Sequence, residues 1–312
     1  MKGKVLLVGE PMGLFIAQNE GPLEDVTGYS FAIAGAEFNV AVGLTRLGHE
    51  VEYVTKLGDD PFGKHIIKFM AENGIASDRI LVTGARRTGF MLKGMTAKGD
   101  PQIFYFRAGS AASTLSPDDL RALDFSQYSN IHLTGITPAL SQECRDTCRF
   151  LAQKAHENGI FLSFDPNLRP QLWPNAQAMA DFMNTFSGEC DLVLPGIAEG
   201  RLLSGRQTPE EIAEFYRARG AGTVIVKTGG EGAYYASPEG CGRVAGFPVK
   251  KIVDTVGAGD GFAAGVLSAR REGLSWPESV RRGNAVGAIQ VMSRGDNDGL
   301  PTREELFAYM IL

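Results

Sequence analysis

The 312-residue chain contains only four cysteines, Cys144, Cys148, Cys190 and Cys241, and only four histidines, His49, His65, His132 and His156. Cys144 and Cys148 stand at a helical spacing with no histidine nearby, so neither a zinc ligand set nor a disulfide framework is spelled out. All four cysteines read as reduced structural thiols, and the histidines share no ligand-like spacing. No apolar run approaches the roughly 18–20 residues that span a bilayer. The opening MKGKVLLVGEPMG meets Gly9, Glu10 and Pro11 too soon for a secretory signal and reads as a first strand. Positive charge is dispersed as well: 31 Lys and Arg lie scattered among 36 Asp and Glu, for a net charge of −5. That leaves no electrostatic footprint for nucleic acid or a membrane surface. The P-loop pattern G-x-x-x-x-G-K-[ST] and the H-R-D loop of protein kinases are missing too. These absences predict a soluble, cytoplasmic protein with a small-molecule partner.

What is present is a regular alternation. Short β-branched or Leu-rich runs occur at KVLLVG (4–9), EVEYVTKLG (50–58), NIHLTGI (130–136), IFLSFDP (160–166), DLVLPG (191–196) and TVIVKTGG (223–230). Continuous apolar runs of this length suit strands buried on both faces of a parallel sheet. Between them, EFNVAVGLTRLG (37–48), PFGKHIIKFMAENG (61–74), SQECRDTCRFLAQKAHENG (141–159) and TPEEIAEFYRARG (208–220) have helical character. Each ends in glycine, which closes a helix in the left-handed conformation without a Cβ clash. The alternation predicts an α/β fold with right-handed crossovers. With 44% apolar residues, 1–312 is expected to form a single domain.

Two segments break the rhythm. Residues 11–34 and 88–110 are rich in glycine and aromatics, alternate with period two in places, and contain turn signals such as Lys98-Gly99-Asp100-Pro101. They predict hairpins inserted into the α/β body. Such hairpins either cover a cleft at the carboxyl ends of the strands or present an edge to a second subunit.

The most specific segment is DTVGAGD (254–260), followed by the small-residue opening of a helix, GFAAGVLSARREG (261–273). Gly257 and Gly259 let the backbone approach a ligand closely, and the amides of Gly257, Ala258 and Gly259 at a helix N-terminus attract negative charge. Asp260, at the same helix start, is placed to take a proton from a hydroxyl. Alone, the segment is equally well a glycine-rich turn with aspartate as N-cap.

Its surroundings decide between these. DTVGAGDGFAAG (254–265) resembles the C-terminal signature of the ribokinase-like, or PfkB, carbohydrate kinases; GAEFNVAVGLTRLG (35–48) with LGDDPFG (57–63) resembles their N-terminal one. The resemblance runs through essentially the whole chain. It implies an open, mostly parallel sheet flanked by helices, with a small β-sheet lid. It also implies transfer of the terminal phosphate of ATP to a sugar hydroxyl, with Mg2+ across the phosphates and a monovalent cation as an open requirement. Asp260 would be the base and the 257–259 amides the anion hole. By the same resemblance Lys227, Thr228, Gly229, Gly230 and Gly232 belong to the nucleotide loop, and Asn284, in RRGNAVGA, borders the adenine pocket. Glu199 matches the acidic residue of an Asn-x-x-Glu element that holds Mg2+ through water. The Asn position of that element is Gly196 here.

Within the superfamily, IFYFRAGSAAS (103–113), IHLTGITPALS (131–141), FDPNLRPQLW (164–173) and SRGDNDGLP (293–301) most resemble the 2-keto-3-deoxygluconate kinases. That similarity implies a sugar-acid site lined by Gly35, Tyr105, Arg107, Arg169, Asp260 and Asp296, with Asn167 and Arg169 near the ATP phosphates. Ala36, Asn39 and Phe106 join them as neighbours in the same segments, Asn39 because an amide both donates and accepts. Two arginines on one cleft suit a planar carboxylate. Position 91, in TGFML, is Met rather than a hydrogen-bonding Tyr. A fructose or nucleoside kinase of the same fold is the competing reading, and a non-catalytic sugar-binding regulator is a remoter one. A homo-oligomer, assembled through the lid, is expected.

Overall fold

The structure, a computed structural model, describes residues 1–96 and 102–311. The turn expected at Lys98–Pro101 lies outside the described residues. Elements are numbered in chain order. The main sheet contains β1 (Lys4–Val8), β4 (Val51–Val54), β9 (Tyr128–Thr134), β10 (Phe161–Asp165), β11 (Leu192–Val193), β12 (Thr223–Lys227), β13 (Gly232–Ser237) and β14 (Gly240–Ala245). Its order is β14-β13-β12-β11-β10-β9-β1-β4. From β12 to β4 all neighbours are parallel, and β13 and β14 return antiparallel at one edge.

Strand residues alternate between two apolar layers, which is why these runs had to be apolar throughout. Leu6, Val8, Leu133, Phe164 and Val226 pack against α3 (Ile136–Leu140), α4 (Gln142–Asn158), α5 (Ala176–Ser187), α6 (Ile197–Ser204) and α7 (Pro209–Arg217). Val5, Leu7, Tyr53 and Ile225 pack against α1 (Ala36–Arg46), α2 (Pro61–Glu72), α8 (Ala258–Arg271), α9 (Trp276–Gln290) and α10 (Arg303–Ile311). The four glycines expected to stop helices all have positive φ, with Gly159 (φ 63°) forming the C-cap of α4. Among the described residues no helix is long and apolar enough to cross a membrane.

The two aromatic segments form an accessory sheet, β3-β2-β7-β8, from β2 (Met12–Glu20), β3 (Tyr29–Ala34), β7 (Phe90–Met95) and β8 (Ile103–Phe106). Pairs β2/β3 and β7/β8 are antiparallel, as hairpins require, and β2/β7 join them in parallel. The expected strand 50–58 is divided. After β4 the chain leaves the edge of the main sheet, and β5 (Lys56–Gly58) pairs instead with β6 (Leu81–Thr83). The run 223–230 stops at Lys227, because Thr228 N and Oγ1 both donate to Gly232 O at 2.9 Å and turn the chain into β13.

Candidate active site

The carboxyl ends of the parallel strands face the inner surface of the accessory sheet across a cleft of about 450 Å3. A sheet of this kind presents its strand ends and the following turns to a ligand. Glu10 follows β1, Asn167 and Arg169 follow β10, Glu199 follows β11, and Lys227 ends β12; Met12, Met91 and Tyr105 approach from the accessory sheet.

Asp260 sits in the first turn of α8, three residues past the N-cap Gly257. Gly257 has φ 79°, and a Cβ there would stand 2.1 Å from Asp296 O, so conformation and space both demand glycine. Ala258 N–H turns back to Thr255 O at 3.4 Å, whereas the amides of Gly259 and Asp260 are first-turn donors that a helix leaves without an intrahelical carbonyl. The Asp260 carboxylate is buried and accepts from Asn39 Nδ2 (2.7 Å) and Asn167 Nδ2 (3.3 Å). Burial raises its pKa to about 7, with the Asn39 hydrogen bond opposing and the nearby Asp165 carboxylate reinforcing the rise. Asn167 has φ 35°, the single non-glycine residue with positive φ among the described residues. Such a conformation is tolerated by asparagine and held where the surroundings fix it.

Behind Asp260, Lys227 Nζ pairs with Asp165 Oδ2 at 2.5 Å. Burial pushes Asp165 upward, and the Lys227 ammonium, although burial works against its charge, is held above its ordinary range by Asp165 and Glu199. Glu199 accepts Leu168 N–H (2.8 Å) on one oxygen and Gly196 N–H (2.7 Å) on the other, tying the turns after β10 and β11 together. Gly196, where an asparagine was the pattern, contributes this backbone donor. Among the described residues no three His, Cys, Asp or Glu side chains are grouped to hold a metal by themselves.

The two arginines differ. Arg169 donates to the carbonyls of Leu168 (2.8 Å) and Asn167 (3.4 Å) and has no carboxylate at ion-pair distance among the described residues. Arg107 is buried against Glu10: Nε donates to Oε2 at 2.7 Å, Nη2 is paired to the same oxygen, and Ser110 Oγ donates to Oε1. Asp296 likewise has a partner, accepting from Lys93 Nζ at 3.1 Å.

Of the expected residues, Gly35, Ala36, Asn39, Tyr105, Arg107, Asn167, Arg169, Glu199, Lys227, Gly257, Gly259, Asp260 and Asp296 line this one cleft. Phe106 does not. Period-two alternation turns it to the outer face of the accessory sheet, where it stacks on Phe90 with ring centroids 4.5 Å apart. Thr228, Gly229, Gly230 and Gly232 lie just beyond the cleft, past Lys227. A Cβ at Gly229 or Gly230 would meet open space, whereas one at Gly232 would strike Val244 O. Asn284 is farther along, on α9, and donates to the carbonyls of Val244 (3.1 Å) and Ala245 (3.0 Å) at the end of β14.

Sequence reasoning gave no role to Glu10, Lys93, Asp165, Asp254 or Asn297, although Asp165, Asp254 and Asn297 stand inside the segments FDPNLRPQLW, DTVGAGD and SRGDNDGLP. Asn297 Nδ2 donates to Asn39 Oδ1 (3.0 Å) and so fixes which face of the Asn39 amide meets Asp260. Outside those segments the only sequence signal was position: Glu10 follows the first strand directly.

A mostly parallel sheet, a facing accessory sheet and a glycine turn presenting a buried carboxylate at a helix N-terminus define the ribokinase-like class of α/β fold. The chain belongs to the pfkB family of carbohydrate kinases, whose profile matches residues 2–303. It is 43% identical over 311 residues to 2-dehydro-3-deoxygluconokinase of Bacillus subtilis, covering 99% of this chain and 96% of that one. Among solved structures it is similar to a putative ribokinase II of E. coli in complex with ATP and Mg2+ (TM-score 0.90, 27% identity, 99% of both chains). It is also similar to a Vibrio cholerae fructokinase with fructose, ADP and calcium bound (TM-score 0.87, 25% identity, 99% of both chains).

Proposed function

We propose that this chain transfers the terminal phosphoryl group of ATP to the primary hydroxyl of 2-keto-3-deoxygluconate, giving the 6-phosphate. One observation carries the reading: a buried carboxyl, Asp260, is raised to about 7 and fixed by two amides, at a helix N-terminus in a cleft shared with two arginines. A base of that affinity takes a hydroxyl proton near neutral pH. The first-turn amides of α8 and Lys227 stand where charge on the transferring group would be absorbed, and positioning and electrostatics dominate such transfers. Arg169 offers its charge to the sugar carboxylate, and Arg107 offers the N–H groups that Glu10 leaves free. Thr228, Gly229, Gly230, Gly232 and Asn284 extend the site towards the nucleotide base.

Mg2+ accompanies ATP in the E. coli relative. The donor set suits it: Glu199 and Asp165 are hard oxygen donors, and because both Glu199 oxygens already accept backbone N–H groups, Glu199 would hold the ion through water. Bound there, the cation would offset negative charge on the phosphate oxygens.

An uncharged ketose such as fructose is the second reading, and the Glu10–Arg107 pair favours it by cancelling one of the two positive charges. Turnover on the keto-deoxy acid, fructose and ribosides with ATP and Mg2+, followed by ADP formation, separates them. The acid should give the highest kcat/KM; preference for fructose would sink the sugar-acid assignment and leave the kinase intact. Asp260→Asn should lower kcat by about 10²–10⁴-fold, and near wild-type turnover in the folded variant would remove Asp260 as base. The exposed aromatic face of the accessory sheet further suits pairing with a second copy of the chain.

A further inference from the structure

Lys93 lies on β7, on the face turned towards the cleft, two residues from Met91. Its side chain is 3% exposed, and Nζ donates to Asp254 Oδ2 (2.6 Å) and Asp296 Oδ1 (3.1 Å). A lysine on a small sheet can normally keep its ammonium in water while its stem covers apolar surface. Here the ammonium is withdrawn from water, a costly step unless the partners are well placed, and it joins segments 161 and 203 residues away in sequence.

Both partners shape the glycine turn. Asp254 Oδ1 accepts Val256 N–H at 3.1 Å, which orders the approach to Gly257. The Asp296 carbonyl packs against Gly257 so closely that no side chain fits between them. One ammonium, rooted in the accessory sheet, therefore holds the two segments that form the floor and wall of the turn.

We infer that Lys93 is a positioning residue that couples closure of the accessory sheet over the sugar to the setting of the 257–260 turn for the nucleotide. The inference rests on the reading of that turn as the phosphate site. The sheet cannot lift from the cleft without drawing the ammonium away from two largely buried carboxylates and leaving them unpaired. Sugar, by holding the sheet down, and nucleotide, by requiring the ordered turn, favour the same state. Each then tightens the other's binding by the same factor.

Calorimetry measures that factor directly, as the Kd of a non-hydrolysable ATP analogue with Mg2+, without and with saturating 2-keto-3-deoxygluconate; fructose takes its place if it proves the better acceptor. In the wild type the sugar should tighten the nucleotide about fivefold or more. In Lys93→Met the ratio should fall to about one, with nucleotide affinity in the absence of sugar changed by less than about twofold, the size of change that separates lost coupling from a lost site. Lys93→Arg should restore part of the ratio. Because Lys93→Met leaves two aspartates facing each other, Lys93→Met/Asp254→Asn is measured beside it; relieved of that repulsion but still untethered, it should show the same loss. Methylammonium added to Lys93→Met supplies the charge without the tether and should not restore the ratio. Recovery with methylammonium, an undiminished ratio in either folded variant, or a wild type that binds both ligands with no coupling would overturn the inference. A wild type that binds neither ligand would instead sink the functional reading beneath it.

Discussion

A carboxyl group that accepts an alcohol proton works best when its own affinity lies near the working pH, and at Asp260 burial brings it there. With Asp260 as the proposed base the ionised form is the active one, so kcat/KM should fall about tenfold per pH unit below pH 7 and level off above it. A flat profile down to pH 5 would assign the proton to another group. The same raised pKa has a consequence for stability. Between its ordinary value of 3.8 and about 7, the native state keeps a proton that the unfolded chain has released, so this site's contribution falls as pH rises through that window. Asp260→Asn abolishes the ionisation, and its stability relative to wild type should improve by up to about 4 kcal/mol between pH 4 and pH 8, at 1.36 kcal/mol per pKa unit. A constant offset is superimposed, because the amide introduced by that substitution would turn its NH2 towards a donor, Asn39 or Asn167. Urea unfolding of both proteins at the two pH values reads the difference; no change in it would mean Asp260 is ionised throughout. Glu10 makes a second prediction at this scale. Glu10→Gln frees the Arg107 charge and should lower KM for the sugar acid several-fold while leaving an uncharged acceptor unaffected. It should also cost about 3–5 kcal/mol of stability, because a buried ion pair is broken from one side. Equal KM changes for both acceptors would argue that Arg107 does not meet the carboxylate.

The turn that opens α8 shows how one element converts backbone geometry into a site. Gly257 and Gly273 have nearly the same left-handed φ, 79° and 83°, but a Cβ at Gly273 meets nothing within 4 Å while one at Gly257 meets the Asp296 carbonyl. Alanine at Gly273 should cost about 1–3 kcal/mol from strain, and alanine at Gly257 should cost more, because its Cβ would also meet backbone. Only Gly257→Ala should also lower kcat, by about 100-fold or more, the scale seen when an anion-stabilising donor is displaced. If thermal melts show equal destabilisation and kinetics show equal activity, the close approach at Gly257 has no catalytic meaning. This element was legible in the sequence because its demands are local: positive φ, small residues and a helix start each leave a mark within a few residues. The helix stops at 48, 74, 159 and 220 were legible for the same reason. The side of Phe106 is equally local: period-two alternation along β8 sends it to the face opposite Tyr105, where it stacks on Phe90 rather than lining the cleft.

Across the whole molecule, what stayed hidden was pairing at a distance. Glu10 meets Arg107 from 97 residues away, Asp165 meets Lys227 from 62, and Lys93 meets Asp254 from 161; no local pattern distinguishes these charges from solvated ones. The outer face of the accessory sheet is a feature of the same scale. Its inner face is covered by the cleft, while Phe31, Phe104 and Phe106 on the outer face remain 39%, 54% and 45% exposed, Phe31 against Phe15 and Phe62, and Phe106 against Phe90 and Phe104. Among the described residues strands β3 and β8 end the sheet order and pair with no further strand on their outer sides, and exposed aromatics beside such an edge favour strand-to-strand or face-to-face association. Sedimentation velocity at micromolar concentration should therefore find a dimer. Phe104→Lys with Phe106→Lys should convert it to a monomer with unchanged far-UV circular dichroism, since neither ring supports the interior. A wild type that sediments as a monomer up to tens of micromolar would show that these rings serve only to stiffen the cover of the cleft. In that case the double variant should differ from wild type in thermal stability and not in mass.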